Sequence, residues 1–146
     1  KTKIIVYWRE HKMANKMYGI SVALPLQYDS IDGPYRLNKT LKDVVKQNLK
    51  TLILTSPGER IMIPDFGAGL RELFFEPYTP NTFSAAKSRI TSQISRYMSF
   101  VNVTNFTVIT SEDDPDLTAN GVRLILQYNI GSIDDSDTLI ITQAND

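Results

Sequence analysis

The spacing of apolar residues changes at Ser99, and this change constrains the fold more than any other feature of the 146-residue chain. Before Ser99 apolar side chains recur at helical spacing, whereas after it they alternate with a period of two. Helices followed by a run of strands are typical of an α+β domain, so we expect a two-layer single domain with helices packed on a C-terminal antiparallel β-meander. The predicted strands are Val101–Ile109, Val122–Ile130 and Thr138–Thr142, and the inner face of the second strand is Val122, Leu124, Leu126, Tyr128 and Ile130.

Two long helices and one short helix are predicted from their end signals. Thr40 is an N-cap with Asp43 three residues later, and Pro57-Gly58 ends the helix that follows. Residues 69–76 are predicted as a short helix that stops before Pro77, and Pro80 opens the second long helix. The predicted buried stripes of the long helices are Leu41, Val44, Val45, Leu49, Leu52 and Ile53, then Phe83, Ala86, Ile90, Ile94, Tyr97 and Met98.

Composition limits the class of function. Sixteen basic and sixteen acidic residues cancel, so no strong field indicates nucleic acid or an anionic membrane as a partner. The chain has no cysteine, which excludes disulfides, thiolate nucleophiles and cysteine-based metal sites. No apolar run approaches the ~18 residues of a membrane span and no signal peptide opens the chain, so synthesis in the cytoplasm is expected.

The N-terminal residues raise a question of domain bounds. Met13 looks like a natural start, so we predict a peripheral extension over residues 1–16 and one domain over residues 17–146. On this prediction, residues 1–12 are either a peripheral extension or a segment that the native gene does not encode. The alternative is that Ile4–Trp8 is a true short strand. Residues 19–26 are predicted as an extended edge segment because they contain Pro25.

The stretch SPGERIMIPDFGAGL (residues 56–70) concentrates an adjacent acid and base, two prolines, three glycines and one aromatic. A catalytic loop, a phosphate cradle and a docking loop all share this composition. The run Gly67–Gly69 lacks the Gly-Lys-Ser/Thr ending of a P-loop and the third glycine of a dinucleotide fingerprint. Its glycines, or Asp65, are expected to turn the chain and cap the short helix.

Carboxylate pairs that could hydrolyse a glycoside are few. A glycosidase needs two carboxylates on opposite sides of a cleft. Glu72 and Glu76 share one helical face, and Arg60 beside Glu59 favours the ionised form of Glu59, which is wrong for a general acid. We therefore predict no enzyme activity. The alternative is a peptidoglycan-cleaving lysozyme-like hydrolase that uses Glu59 or Glu72.

Metal and cofactor sites are not predicted. His11 is the only histidine and lies in the N-terminal extension. The acidic turn at residues 113–116 lacks the alternate spacing and the closing glutamate of a calcium loop.

The run from Leu54 to Pro77, with its Ser-Pro-Gly-Glu-Arg, Ile-Pro-Asp-Phe-Gly and Gly-Leu-Arg-Glu-Leu-Phe-Phe-Glu-Pro segments, resembles the baseplate wedge proteins of contractile-tailed phages. This GPW or gene-product-25-like family of sheath initiators has relatives in type VI secretion baseplates and other contractile injection systems. The likeness spans roughly residues 17–130. It implies a structural protein of the virion tail baseplate, made in the host bacterial cytoplasm. The implied partners are a helical bundle of other wedge subunits, the tail sheath protein, and the tail tube or hub.

The resemblance implies that the loop docks that helical bundle through Glu59, Arg60 and Pro64, with Phe66 and Gly67 continuing the motif. Arg60 offers a planar fork of donors to carboxylates or carbonyls, and Glu59 suits a partner helix N-terminus. Two alternatives stay open at this point: Glu59 and Arg60 pair with each other inside the monomer, and Phe66 is a core residue.

The family also implies that the first sheath ring extends a strand edge of the initiator. The last predicted strand is β-branched and has no internal charge, which suits strand addition. The alternative is an ordinary third strand of the protein's own sheet, and an edge strand satisfies both. The residues implied for strand addition are Thr138, Leu139, Ile140, Ile141 and Thr142.

Overall fold

The computed structural model describes residues 18–73, 75–76, 79–111, 113–117, 121–131 and 135–143. The chain divides into two compact units, residues 1–44 and residues 45–146. The predicted extension over residues 1–16, with Ile4–Trp8 and His11, lies outside the described residues. The domain bound at residue 17 therefore stays a prediction.

The first unit contains a small antiparallel sheet of two strands, β1 (Ser21–Val22) and β2 (Leu37–Asn38). Ser21 lies opposite Asn38, and the Ile20 N–H donates to the Asn38 carbonyl at 2.8 Å. The extended segment predicted over residues 19–26 is thus a regular strand for two residues only.

Helix α1 covers Leu41–Leu54 and begins where its cap predicts. The Asp43 N–H donates to the Thr40 hydroxyl oxygen at 3.1 Å, which satisfies one of the unpaired donors of the first turn. The predicted stripe is wrong at Leu41, which is 43 % exposed; burial along the helix begins one turn later, at Val45.

Helix α2 (Leu70–Leu73) is shorter than the helix predicted over residues 69–76. The Phe75 N–H donates to the Glu72 carbonyl at 3.1 Å, which is the three-residue spacing of a turn rather than the four-residue spacing of an α-helix. Pro77 follows in the sequence and disfavours helical backbone just before it.

Helix α3 (Pro80–Tyr97) has the predicted start, with proline at its first position. The Thr79 hydroxyl caps it by accepting the Thr82 N–H at 3.3 Å. At the other end the Met98 N–H donates to the Ile94 carbonyl at 2.7 Å, so the chain leaves the helix directly into the sheet.

The second unit ends in three antiparallel strands, β3 (Val101–Thr110), β4 (Val122–Ile130) and β5 (Asp135–Gln143), in the order β3-β4-β5. The predicted meander is confirmed. Strand β3 contains a bulge between Val103 and Asn105, where its register against β4 shifts by one residue.

Strand β5 begins three residues before the predicted Thr138. Each β4 residue from Val122 to Ile130 has a β5 partner, so backbone pairing extends the strand to Asp135 despite its acidic composition. Asp137 is also held by two side chains: its carboxylate lies 3.1 Å from the Lys46 ammonium and accepts the Tyr128 hydroxyl at 3.3 Å.

The hydrophobic core lies in the second unit and joins α1, α3 and the inner face of the sheet. The predicted inner face of β4 is confirmed, with Leu124, Leu126, Tyr128 and Ile130 at most 1 % exposed. The α+β class is also confirmed: in the described residues three helices, two of them long, precede an antiparallel sheet of three strands. In the described part of the chain no helix is both long enough and apolar enough to cross a lipid bilayer.

Candidate functional site

The central loop (Ser56–Gly69) is closed across its base by its own hydrogen bonds. The Gly58 N–H donates to the Pro64 carbonyl at 2.8 Å, so the five residues between them form a short excursion. Glu59 strengthens the same base, because its carboxylate accepts the Ser56 N–H at 3.1 Å. The sequence analysis assigned Glu59 to the N-terminus of a partner helix, and that role stays a prediction; within the monomer its carboxylate accepts this one backbone bond.

The second arm of the central loop lies directly on the end of α1. The Ala68 and Gly69 N–H groups donate to the Leu52 and Thr55 carbonyls at 3.0 and 2.9 Å, so carbonyls at the helix end gain partners. Gly67 makes this approach possible. Its φ is +112°, and a Cβ there would collide with the backbone oxygen of Thr55 and lie 2.8 Å from its carbonyl carbon.

Gln93 of α3 clamps the same arm, and sequence reasoning did not identify it. Its side-chain oxygen accepts the Gly67 N–H at 3.1 Å, and its side-chain nitrogen donates to the Asp65 carbonyl at 3.0 Å. One amide thus satisfies a donor and an acceptor of the loop backbone. The signal is absent from the sequence because Gln93 is 26 residues from Gly67 and sits among other polar residues of α3.

Arg60 stacks on Phe66 rather than pairing with Glu59. The Arg60 guanidinium carbon lies 3.7 Å from the centre of the Phe66 ring, and Phe66 makes an edge-to-face contact with Tyr97 at 5.0 Å between ring centres. Within the described residues Arg60 forms no hydrogen bond or ion pair, so the internal Glu59–Arg60 pair is not formed. Phe66 is half-buried at the margin of the core.

A groove of about 270 Å³ lies beside this stack. Arg60 supplies its cationic side, and Tyr97 supplies a buried hydroxyl that has no hydrogen-bond partner among the described residues. The described residues that line it, none of them a carboxylate, are Asn48, Thr51, Leu52, Arg60, Phe66, Tyr97, Met98 and Phe100.

The loop tip carries two fully exposed apolar side chains that the sequence analysis did not select. Ile61 is 93 % exposed and Met62 is 91 % exposed, whereas Ile63 beside them is 45 % exposed. Pro64 is exposed at the end of the tip. The sequence contained a signal for this exposed tip. The apolar run Ile-Met-Ile lies between turn residues, in neither a predicted helix nor a predicted strand.

The acidic residues near the loop make ion pairs with α3. Asp65, expected as a cap for the short helix, lies 3.6 Å from the Arg96 guanidinium. Glu72 lies 3.9 Å from Arg89, which also donates to the Ala68 carbonyl at 3.4 Å. Both carboxylates are more than half exposed, so these pairs position the loop and contribute little to stability.

Strand β5 forms the edge of the sheet, and among the described strands it pairs with β4 alone. Its residues alternate: Leu139 and Ile141 are 3 % and 7 % exposed, whereas Ile140 is 56 % exposed. Thr138 is half-buried and Thr142 is exposed. The strand is therefore a member of the protein's own sheet and one of its edges, and strand addition by a sheath subunit stays a prediction.

Comparisons with known proteins show which solved structures share this fold. Two solved structures share the fold, each with a TM-score of 0.61. A crystal structure from Geobacter sulfurreducens, provisionally named a tail lysozyme, is 15 % identical and the match covers 76 % of this chain and 96 % of that one. A chain of the cryo-EM structure of the anti-feeding prophage baseplate is 24 % identical, with 75 % of this chain and 83 % of that one covered. At such identities these structures establish the fold alone.

A search of curated proteins found no match. The family model described as baseplate wedge protein gp25, however, matches residues 39–134, which is well over half of the chain and includes the whole central loop. The resemblance inferred from that loop is thereby confirmed, and the protein belongs to the baseplate wedge protein gp25 family.

Proposed function

We propose that this chain is a non-enzymatic structural subunit of a contractile-tail baseplate, that it docks other wedge subunits through its central loop, and that it initiates the tail sheath at β5. The observation that carries the proposal is the loop tip. Ile61 and Met62 are more than nine-tenths exposed, yet the backbone beneath them is fixed by hydrogen bonds. Large apolar side chains on a rigid loop lose little conformational entropy when a partner covers them.

Arg60 is the second element of this proposed interface. Its guanidinium is held over the Phe66 ring, while its N–H donors have no partner within the described residues. Arginine is enriched among residues that dominate binding energy, because it combines a flat apolar face with five donors. A helical bundle offers the matching groups, namely carboxylates and the free carbonyls of a helix C-terminus.

The residues of the central loop fall into two groups with different proposed roles. Glu59 and Gly67 act within the loop, since both are committed to its backbone bonds or its close approach to α1. Arg60, Pro64 and the tip residues face outward and form the contact surface. Phe66 links the two sets, because it packs against the core cluster and carries Arg60 on its ring.

Sheath initiation is proposed at β5 by backbone pairing. The inward residues Leu139 and Ile141 hold the strand in the sheet, and the exposed Ile140 gives a partner strand one apolar contact. Thr138 and Thr142 add β-branched side chains and no charge. A sheath strand adding to this edge would gain main-chain hydrogen bonds along the strand. Contact with the tail tube or hub is a further expectation from the family.

The lysozyme alternative is disfavoured by the same geometry. Hydrolysis of a glycoside needs two carboxylates across a cleft. Glu59 accepts a hydrogen bond from its own loop, Glu72 lies beside Arg89, and the groove at the loop is lined by Arg60 and aromatic residues. A turbidity assay on bacterial cell walls separates the classes: we expect no clearing, and clearing that is lost in Glu59→Gln or Glu72→Gln would contradict the proposal.

The docking proposal is tested by co-purification with each neighbouring baseplate subunit. We expect Ile61→Ser with Met62→Ser to abolish capture of the wedge partner while the far-UV circular dichroism and melting temperature stay unchanged. Phe75→Ser is the matched control, since Phe75 is 83 % exposed and outside the loop. Equal capture by wild type and the double variant would contradict docking through the tip.

A further inference from the structure

The groove beside the central loop contains two polar side chains that the protein itself does not engage. The Arg60 guanidinium and the Asn48 side-chain amide both line the groove, and neither has a hydrogen-bond partner within the described residues. The two hydroxyls of the lining differ from them: the Thr51 hydroxyl donates to the Gln47 carbonyl at 3.0 Å, and the Tyr97 hydroxyl is buried. The free N–H donors of the groove are therefore those of Arg60 and Asn48.

No carboxylate of the loop balances the charge of Arg60. Glu59 is adjacent in the sequence, but its carboxylate accepts the Ser56 N–H at 3.1 Å. Asp65 lies 3.6 Å from the Arg96 guanidinium instead. Since the described lining also includes no carboxylate, the groove presents an uncompensated cation. A cation with free donors selects an anionic group from a partner, because ionised acceptors form the stronger hydrogen bonds.

The rest of the groove is apolar and has the size of a side chain. Leu52 and Met98 are buried, Phe66 is half-buried, and Phe100 is 42 % exposed. The volume of about 270 Å³ exceeds the roughly 150 Å³ of a cavity that holds benzene, yet it falls below the roughly 300–1,000 Å³ of small-molecule sites. A free inorganic anion would leave the apolar walls without contact, so the occupant combines an anionic head with an aliphatic stem.

We infer that the groove receives a glutamate side chain from the wedge subunit that covers the loop tip; the identity of that partner class rests on the proposed function. The two carboxylate oxygens accept hydrogen bonds from Arg60 and Asn48, while the aliphatic stem packs against Phe66 and Phe100. The free carbonyls of a helix C-terminus would satisfy the donors but would leave the charge unpaired and the walls empty. The groove therefore selects a glutamate rather than a helix end.

A second copy of this chain is a poorer source of that glutamate. Among the described glutamates, Glu59 is bonded within its own loop and Glu72 lies 3.9 Å from the Arg89 guanidinium. Glu76 is exposed and has no hydrogen bond or ion pair within the described residues. It is the one described glutamate that a second copy could offer without breaking an internal contact, and the test includes it.

The test measures by calorimetry how tightly the isolated wedge partner binds the full chain. Asn48→Asp places a carboxylate in the groove, where it competes for Arg60 and repels an incoming glutamate. We expect binding at least about tenfold weaker, with an unchanged circular dichroism spectrum. Asn105→Asp is the matched control, since Asn105 is exposed on β3 and does not line the groove. It should bind as tightly as wild type.

Substitutions in the partner identify the group that enters the groove. Each glutamate of the partner is changed to glutamine. One of these changes should weaken binding to wild type about tenfold and have little further effect on binding to the Asn48→Asp variant. Lysine at that partner position should weaken binding to wild type and restore binding to Asn48→Asp, because opposite charges then face each other again.

Three results would overturn the inference. If no glutamate substitution in the partner alters binding, while Ile61→Ser with Met62→Ser still abolishes it, the groove is not the glutamate site and docking through the tip stands. If wild type sediments as a dimer that Glu76→Gln dissociates, a second copy occupies the groove. If wild type binds no baseplate subunit at all, the proposed function and this inference both fail.

Discussion

The central loop and strand β5 present opposite chemical groups to a partner. At the base and second arm of the loop the backbone is committed internally, with the Gly58, Ala68 and Gly69 N–H groups all donating to carbonyls of the protein, and side chains at the tip are exposed. In β5 the side chains of Leu139 and Ile141 are buried, and one backbone edge is open among the described strands. We therefore expect binding at the loop to come mainly from the exposed tip side chains, and binding at β5 to come from the main chain.

Because of this difference, we expect different kinds of substitution to disrupt the loop and the edge strand. The loop depends on a few backbone positions for its shape and on tip side chains for contact. The edge depends on inward side chains for its place in the sheet and on the absence of charge from Thr138 to Gln143 for pairing. The following predictions run from the largest expected change in the free energy of unfolding to the smallest.

Gly67→Ala should cost the most, because the new Cβ meets the Thr55 backbone and the φ of +112° is unfavourable for alanine. We expect the free energy of unfolding to fall by at least about 3 kcal/mol, measured by urea denaturation. Gly58→Ala is the control: its φ is +91°, but no atom lies within 4 Å of the added Cβ, so strain alone should cost about 1 kcal/mol. Equal losses would show that the close approach to α1 is unimportant.

Ile141→Ala should destabilise the sheet by about 2–4 kcal/mol, because a side chain that is 7 % exposed leaves a cavity in the core. Its neighbour Ile140 is 56 % exposed, so Ile140→Ala should change the free energy of unfolding by less than about 0.5 kcal/mol. Thermal unfolding of both variants checks the assignment of inner and outer faces. A larger loss for Ile140→Ala would reverse it.

Gln93→Ala should cost about 1–2 kcal/mol, since it removes the bonds to the Gly67 N–H and the Asp65 carbonyl. Gln93→Glu sharpens the result, because the carboxylate keeps the acceptor for Gly67 and loses the donor for Asp65. Hydrogen exchange at the Gly67 amide should quicken in the alanine variant and stay slow in the glutamate variant. Fast exchange in wild type would contradict the clamp.

Ile140→Lys should leave stability within about 0.5 kcal/mol of wild type, because the residue points outward, yet it places a charge on the open edge. We expect sheath assembly on reconstituted baseplates, counted by electron microscopy, to fail. Thr107→Lys on β3 is the control, since Thr107 is also exposed and lies on the other edge strand. Normal sheaths from the Ile140 variant would contradict initiation at β5.

The sequence predicted the elements whose signals are local. The Thr40 and Thr79-Pro80 caps, the inner face of β4 and the period change at Ser99 all concern neighbouring residues, and they were confirmed. The early start of β5 was missed, because its acidic residues are held by pairing with β4, a contact that local propensity does not include.

The site was predicted less completely than the fold, for a physical reason. The motif around Glu59 and Arg60 identified the loop, but the partners of these residues depend on distant groups. Gln93 reaches Gly67 from another helix, and Arg60 turns to the Phe66 ring instead of the adjacent Glu59. The exposure of Ile61 and Met62 also depends on how the base of the loop closes. Local sequence signals do not predict that closure.

The most direct test of docking through the loop is the affinity of the wedge partner for wild type and Arg60→Ala, measured by calorimetry together with the melting temperature of each protein. We predict binding at least about tenfold weaker with an almost unchanged melting temperature, because Arg60 is exposed and its contact with Phe66 is worth only about 0.5–1 kcal/mol. Arg60→Lys should restore little, since lysine lacks the planar fork. Unchanged affinity with a lowered melting temperature would show instead that Arg60 supports the loop internally and that the docking surface lies elsewhere.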